Sequence, residues 1–221
     1  MPKKIVIFGG TGRTGKQIAK IAIEKGYETV CFGRTADWGN VPDGAIPFKG
    51  NITDEEDVRN AINECEIIIL ALSISRTSRS PFAKITGDRQ LHSKSMKILT
   101  SALSDSGSKR IVKISAQGVG ESKTRTGLIF RTLIRMSNLK IAFEDHAKAD
   151  EILQGTDHFW TIIRPPMLND KEDFTELVAG ESLVTNTRTN VSRVSIASWI
   201  IGSLENIDWK KRCVTILPRK T

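Results

Sequence analysis

The feature that most constrains this chain is a glycine-rich turn set between an apolar run and a helical pattern. Ile5-Val6-Ile7-Phe8 leads into Gly9-Gly10-Thr11-Gly12-Arg13-Thr14-Gly15. The run is short and continuously apolar, as a parallel strand covered on both faces is. Over 15–25, Ile18, Ala19, Ala22 and Ile23 share one helical face, while Lys16, Lys20 and Lys25 look to water. The turn satisfies both Gly10-x-Gly12-x-x-Gly15 and Gly9-x-x-Gly12-x-x-Gly15. In such a strand–turn–helix the first glycine permits the sharp turn and the middle one lets main chain approach a pyrophosphate. The third lets the helix pack closely on the strand. The helix's unpaired N–H groups then face an anion. Gly9, Thr11, Gly12, Arg13, Thr14 and Gly15 are therefore candidate dinucleotide ligands, against the plainer reading of a turn without a ligand.

The rest of the chain repeats the alternation. Apolar runs at 29–32, 46–48, 67–72, 110–115 and 159–164 read as buried strands, and 53–63, 88–104 and 143–153 as helices. Thr53, with Glu56 three residues on, reads as a capping box. The expectation is a Rossmann-type α/β fold: one doubly wound, mostly parallel sheet in a single domain over 1–221. Its 221 residues, 39% hydrophobic and 26% charged, suit one large domain without a linker or repeat. Towards the C-terminus, 169–181 reads as loop and short helix, 191–194 as a strand, 195–205 as a helix and 213–217 as the last strand. Residues from about 165 to 221 are expected to wall the substrate side of a cleft.

The choice of dinucleotide follows from the second strand. An acidic residue at its end would take the ribose hydroxyls of NAD, but here the chain reads Phe32-Gly33-Arg34-Thr35. Arg34 suits a 2′-phosphate, with Thr35 as a second donor, so NADP(H) is preferred over NAD(H). Asn51 and Ile52, after the third strand, fall where an adenine would lie, and Ala71, Leu72 and Ser73 end the fourth. The formal net charge of +8 favours an anionic partner. Nucleic acid is disfavoured by the lack of a recognition motif and of interleaved aromatics. Three scattered cysteines and three histidines match no metal-ligand spacing, so no metal is expected. No stretch is long enough to span a membrane and no leader pattern is evident, so a cytoplasmic protein is expected.

Taken together, these motifs resemble those of the atypical short-chain dehydrogenase/reductases, and among them the NAD(P)H-binding group that includes biliverdin reductase B (flavin reductase). The resemblance runs through nearly the whole chain. It is carried by the glycine turn, Gly33-Arg34, Ile114-Ser115-Ala116, Glu144-Asp145-His146, Arg164-Pro165-Pro166-Met167 and Val191-Ser192-Arg193-Val194-Ser195-Ile196-Ala197. It implies an NADPH-dependent reductase of flavins, quinones, azo compounds or bilins. It also implies that Thr11, Gly12, Arg13 and Thr14 hold the pyrophosphate and Arg34 the 2′-phosphate, while Ser115, Ala116, Pro165, Pro166 and Met167 surround the nicotinamide. Three departures stand out. The only tyrosine is Tyr27, so the Tyr/Lys pair of ordinary short-chain dehydrogenases is missing. Met167 replaces a histidine of the bilin reductase, and Ser195 replaces the family's aspartate as a helix cap.

Without Tyr/Lys, hydride transfer must work by positioning, which suffices for a planar conjugated acceptor, here expected to be anionic. Ser115 and His146 are the candidate catalytic side chains, with His146 placed near a helix N-terminus. Ser115 would hold the nicotinamide amide or the acceptor, or simply satisfy backbone; His146 would donate a proton, or be structural. A non-catalytic NADP(H) sensor and a reductase of a biosynthetic pathway are the alternatives. The protein is expected to be a monomer or small homo-oligomer. Residues 122–143 contain no acid, and the basic stretch 123–135 has three readings. It is a lid over an anionic acceptor, an amphipathic helix on an anionic membrane or partner, or a charged face whose apolar side turns to the core; the last is preferred.

Overall fold

The computed structural model describes residues 2–186 and 189–219. Its elements alternate from the start: β1 (Lys4–Phe8), α1 (Arg13–Glu24), β2 (Glu28–Gly33), β3 (Ile46–Lys49), α2 (Glu55–Ile62), β4 (Ile67–Leu70), α3 (Leu91–Ala102) and β5 (Arg110–Ile114). A 3-10 turn (Gly120–Arg125) then leads to α4 (Leu128–Met136), α5 (Leu139–Gln154), β6 (Phe159–Arg164), β7 (Met167–Asn169) and β8 (Leu177–Gly180). The described chain ends with β9 (Asn190–Ser192), α6 (Arg193–Gly202) and β10 (Arg212–Pro218).

Eight strands form one sheet in the order β3-β2-β1-β4-β5-β6-β10-β8, parallel except for β8 at the edge. Side chains alternate across each strand and so feed two cores. Ile5, Ile7, Ile67, Ile69 and Val112 pack towards α1 and α6. Val6, Phe8, Ile68, Leu70 and Ile111 pack towards α2, α3 and α5. All four residues of β4 are buried, each contributing about 1.5–3 kcal/mol relative to exposure. The chain leaves β1 towards β2 and β3, then crosses back to β4. Strand order therefore reverses between β1 and β4, where a doubly wound sheet opens its ligand crevice.

Four local expectations are corrected. The cap of α2 is Asp54, not Thr53: its carboxylate accepts from the N–H groups of Glu56 at 3.0 Å and Asp57 at 3.1 Å. A carboxylate suits this place because it also faces the positive end of the helix dipole. The cap of α6 is Ser192, which accepts from Ser195 N at 3.1 Å; Ser195 lies inside the first turn, and its hydroxyl accepts from Thr175 N at 2.8 Å. The helix thus starts at Arg193, and the strand expected over 191–194 ends at Ser192. Residues 169–181 hold the last residue of β7, a loop and the strand β8 in place of a loop and short helix. Leu177–Gly180 pairs antiparallel with β10 because that strand's outer edge would otherwise leave its backbone groups unpaired. Finally, the basic stretch does not turn an apolar side into the core: α4 buries none of its residues.

Candidate functional site

The glycine turn closes on itself at the C-terminal end of β1. Gly9 has φ +86, and a Cβ there would lie 2.6 Å from Ala71 O. A Cβ on Gly15 would lie 2.1 Å from Gly9 O, so only glycine lets α1 approach the strand this closely. Gly12 caps α1 in an extended conformation with no side-chain cap, and the first turn carries no acid. The first-turn N–H groups and the positive end of the helix dipole are thereby left for an anion.

Two cavities meet over this turn. One, of about 360 Å³, is lined by Gly9, Thr11, Gly12, Phe32, Arg34, Asn51 and Ile52. The other, of about 340 Å³, is lined by Arg13, Thr14, Ser115, Ala116, His146, Pro165 and Pro166. Both include Gly12, Ala71, Leu72 and Ser73, so they form one trough across the ends of β1, β4 and β5. Most of the residues expected to bind the cofactor are brought together here. Three are not: Gly15 is buried beneath the turn, and Thr35 lines neither cavity, its carbonyl accepting from the Asn40 side chain. Met167 is 58% exposed and faces a third cavity.

That third cavity, of about 670 Å³, opens beside the second and shares Arg13, Ala116, Pro165 and Arg193 with it. Phe130, Leu139, Phe143 and Met167 supply apolar walls, and Arg76 and Arg79 complete a set of four guanidiniums with Arg13 and Arg193. A single carboxylate, Asp170, answers three of them: 2.6 Å to Arg13, 2.6 Å to Arg193 and 3.3 Å to Arg79. Partial desolvation works against its ionisation, but Arg193 and Arg13 outweigh it and hold Asp170 below the usual carboxylate range.

Under the β5–β6 end of the trough lies a buried ionic network that was not expected. Lys113 on β5 and Arg164 on β6 occupy strand positions that face α5, and both reach Asp150 on that helix. Lys113 Nζ lies 2.6 Å from Oδ1 and an Arg164 nitrogen 3.2 Å from Oδ2, with all three side chains at most 3% exposed. Ser115 Oγ donates to Asp150 Oδ2 at 2.9 Å, and Arg164 also pairs with Glu121. Ser115 therefore answers a carboxylate, and its hydroxyl hydrogen is committed.

His146 sits in the middle of α5, not near its N-terminus. Its ring stacks on that of His92 at 3.7 Å between centroids, and its Nδ1 lies 3.2 Å from Lys113 Nζ. Burial first, then His92 and Lys113, push its pKa well below the ordinary value; burial and Lys113 lower His92 to about 3. Both rings are neutral. An ammonium can only donate, so Nδ1 of His146 accepts and Nε2 carries the hydrogen. Asp145, one residue before, accepts from His92 N at 2.7 Å and Ser93 N at 3.2 Å, capping α3 from another helix.

Fold and trough define a Rossmann protein built for a dinucleotide. The model of a family described as NAD(P)H-binding matches residues 9–207, and the chain belongs to that NAD(P)H-binding family. No curated protein matches the sequence. A short-chain dehydrogenase/reductase from Veillonella parvula, solved in complex with NADP, superposes with a TM-score of 0.80 at 15% identity, covering 100% of this chain and 97% of that one. An oxidoreductase from Lactococcus lactis gives 0.78 at 19% identity over 99% and 92% of the two chains. A proposed NADH-flavin reductase from Streptococcus pneumoniae gives 0.73 at 18% identity over 98% and 100%. At these identities the likeness establishes the fold.

Proposed function

We propose that the protein is an NADPH-dependent reductase of a planar, conjugated, anionic acceptor. One observation carries this reading: the trough runs from Arg34 to Ser115 and His146, then opens into an apolar cavity ringed by four arginines. The residues fit the dinucleotide. Gly9 and Gly12 keep the turn free of side chains, the first turn of α1 offers N–H groups, and Arg34 stands exposed at the outer end. In this role Arg34 takes the 2′-phosphate without help from Thr35, while Asn51 and Ile52 flank the adenine. Bound in its reduced form, the nicotinamide supplies the hydride.

The chain's own residues hold and screen the partners. Pro165 and Pro166, with Ala116, give the inner end a rigid apolar wall. Residues 165–171 and Arg193 provide the C-terminal side of the acceptor cavity, and Phe130, Leu139 and Phe143 the opposite side. The guanidiniums orient the acceptor through its anionic groups, with Asp170 as the internal charge they exchange for it. His146, neutral, presents Nε2–H as a hydrogen-bond donor to the charge that develops on the acceptor, and water supplies the proton. Lys113 acts as a positioning residue that holds Nδ1 as the acceptor. This reading is tested by incubating the protein with NADPH and, separately, FMN, a quinone and biliverdin, following nicotinamide absorbance. Turnover on at least one acceptor is expected. Tight NADPH binding without turnover on any would replace the reductase by a sensor of NADP(H).

A further inference from the structure

We infer that the outer face of α4 docks the protein on membranes containing anionic lipid, a role separate from the dinucleotide trough. An amphipathic helix of a globular protein turns its large apolar residues inward. Here Leu128, Ile129 and Met136 are 70%, 76% and 72% exposed and share the outer side with Thr132 and Arg135. The inner side, Phe130, Leu133 and Ile134, is only half-buried, with Phe130 edge-on to Phe143 at 6.3 Å.

Beside this face, α4, α5 and the 3-10 turn enclose a second apolar hollow of about 480 Å³, floored by residues such as Val119, Ile134 and Phe143. Lys123, Arg131, Arg135 and Lys140 rim it. Among the described residues, Lys123, Arg131 and Arg135 form no ion pair, and Lys140 meets only Glu144 at 3.7 Å. Nε of Arg131 is buried without a hydrogen-bond partner. No acid lies in 122–143, and Glu144, which also lines the hollow, is the one carboxylate that its lining residues include, against four cations.

The combination selects the partner. Nucleic acid or an acidic peptide would use the cations but gain little from projecting leucine, isoleucine and methionine. An apolar protein surface would leave the cations unanswered. A second copy docking through the same face would set like charges against each other. A bilayer with anionic headgroups satisfies both features: phosphates meet the rim while the apolar side chains enter the headgroup–acyl boundary.

Sedimentation with vesicles tests this, using the full chain with phosphatidylcholine alone or mixed with phosphatidylglycerol. Binding is expected to the mixed vesicles only, and to be lost in about 1 M salt, where screening is nearly complete. Arg131→Gln with Arg135→Gln should weaken partitioning about thirtyfold. Leu128→Gln, Ile129→Gln and Met136→Gln together keep every charge and should also release the protein. Because all five side chains lie outside both cores, NADPH binding and thermal unfolding should match the parent and serve as folding controls. Equal binding to both vesicle types, no binding to either, or binding unchanged by both sets of substitutions would overturn the proposal. So would a dimer in light scattering that the apolar variant converts to monomer. None of these readouts needs an acceptor, so the reductase reading can fail without affecting them.

Discussion

At the β1 end of the trough the chain presents main chain; at the β5–β6 end it presents charged side chains. The first end is a local construction. Gly9, Gly12 and Gly15 clear space so that backbone N–H groups face the cavity, and the turn that does this comes from one strand–turn–helix. The second end gathers Lys113, Ser115, His146, Asp150 and Arg164 from two strands and a helix around one buried carboxylate. A main-chain site is fixed once the turn closes. A side-chain site depends on several long-range packings and on charges that stay paired, so the two ends should fail in different ways.

The largest effect belongs to the first end. Gly15→Ala places a Cβ within 2.1 Å of a backbone oxygen, with no flexible side chain to move aside. It should destabilise the fold by more than about 4 kcal/mol and abolish NADPH binding, as read by denaturant midpoint and titration. A variant with near-parent stability would show that α1 can part from the strand, and the first end would lose its rigidity. The next effect belongs to the second end. Lys113→Met leaves Asp150 buried with only Arg164 and Ser115 in reach. Breaking such a pair should cost about 3 kcal/mol, and adding Asp150→Leu should cost less than the separate losses summed. Strict additivity would mean that the network is not acting as a unit.

The same difference decides what could be read from the sequence. The turn and the alternation of strands and helices that makes the parallel sheet are legible because their signals are local: glycines at fixed spacing, apolar runs and helical periodicity. Thr35 follows Arg34 directly in sequence yet lines neither cavity, its carbonyl accepting from Asn40. The network was less legible, because nothing in the spacing of residues 113, 150 and 164 brings them together. One signal was available. Lys113 interrupts an apolar run whose neighbours are all buried, and a lysine inside a buried strand requires a partner. β8 was missed for a related reason: Leu177–Gly180 is half-buried and too short to show a period, and only the open edge of β10 makes it a strand.

Smaller effects sharpen the comparison. Arg34→Ala should weaken NADPH by about 1–3 kcal/mol and leave NADH almost unchanged, measured by titration with each. Equal losses would remove the 2′-phosphate from this end. The second end should instead declare itself through pH. His92 has its pKa lowered from 6.5 to about 3 by burial and Lys113, and His146 is also lowered. Below 6.5 the unfolded chain takes up protons on these rings that the folded chain refuses, so stability falls as pH drops. Each ring kept neutral in the fold contributes up to about 1.4 kcal/mol per pH unit in that window. His92→Leu should flatten the slope of stability between pH ~6.5 and ~5, above the range in which most carboxylates titrate. An unchanged slope would mean that His92 ionises in place, despite the Lys113 ammonium beside the stack.

The smallest effect is the most discriminating for the first end. Thr35 follows Arg34 directly and carries a hydroxyl that a phosphate would accept. If sequence proximity governed the site, Thr35→Ala would cost a hydrogen bond to a charged group, about 1.5–3 kcal/mol of NADPH affinity. The fold argues otherwise, because Thr35 starts the loop tied back by Asn40 and lies outside the cavity that Arg34 lines. The expected change is under about 0.5 kcal/mol, as for an ordinary surface substitution. A loss matching that of Arg34→Ala would show that this loop closes over the cofactor. The first end would then depend on side-chain convergence as the second does, and the contrast between the two would disappear.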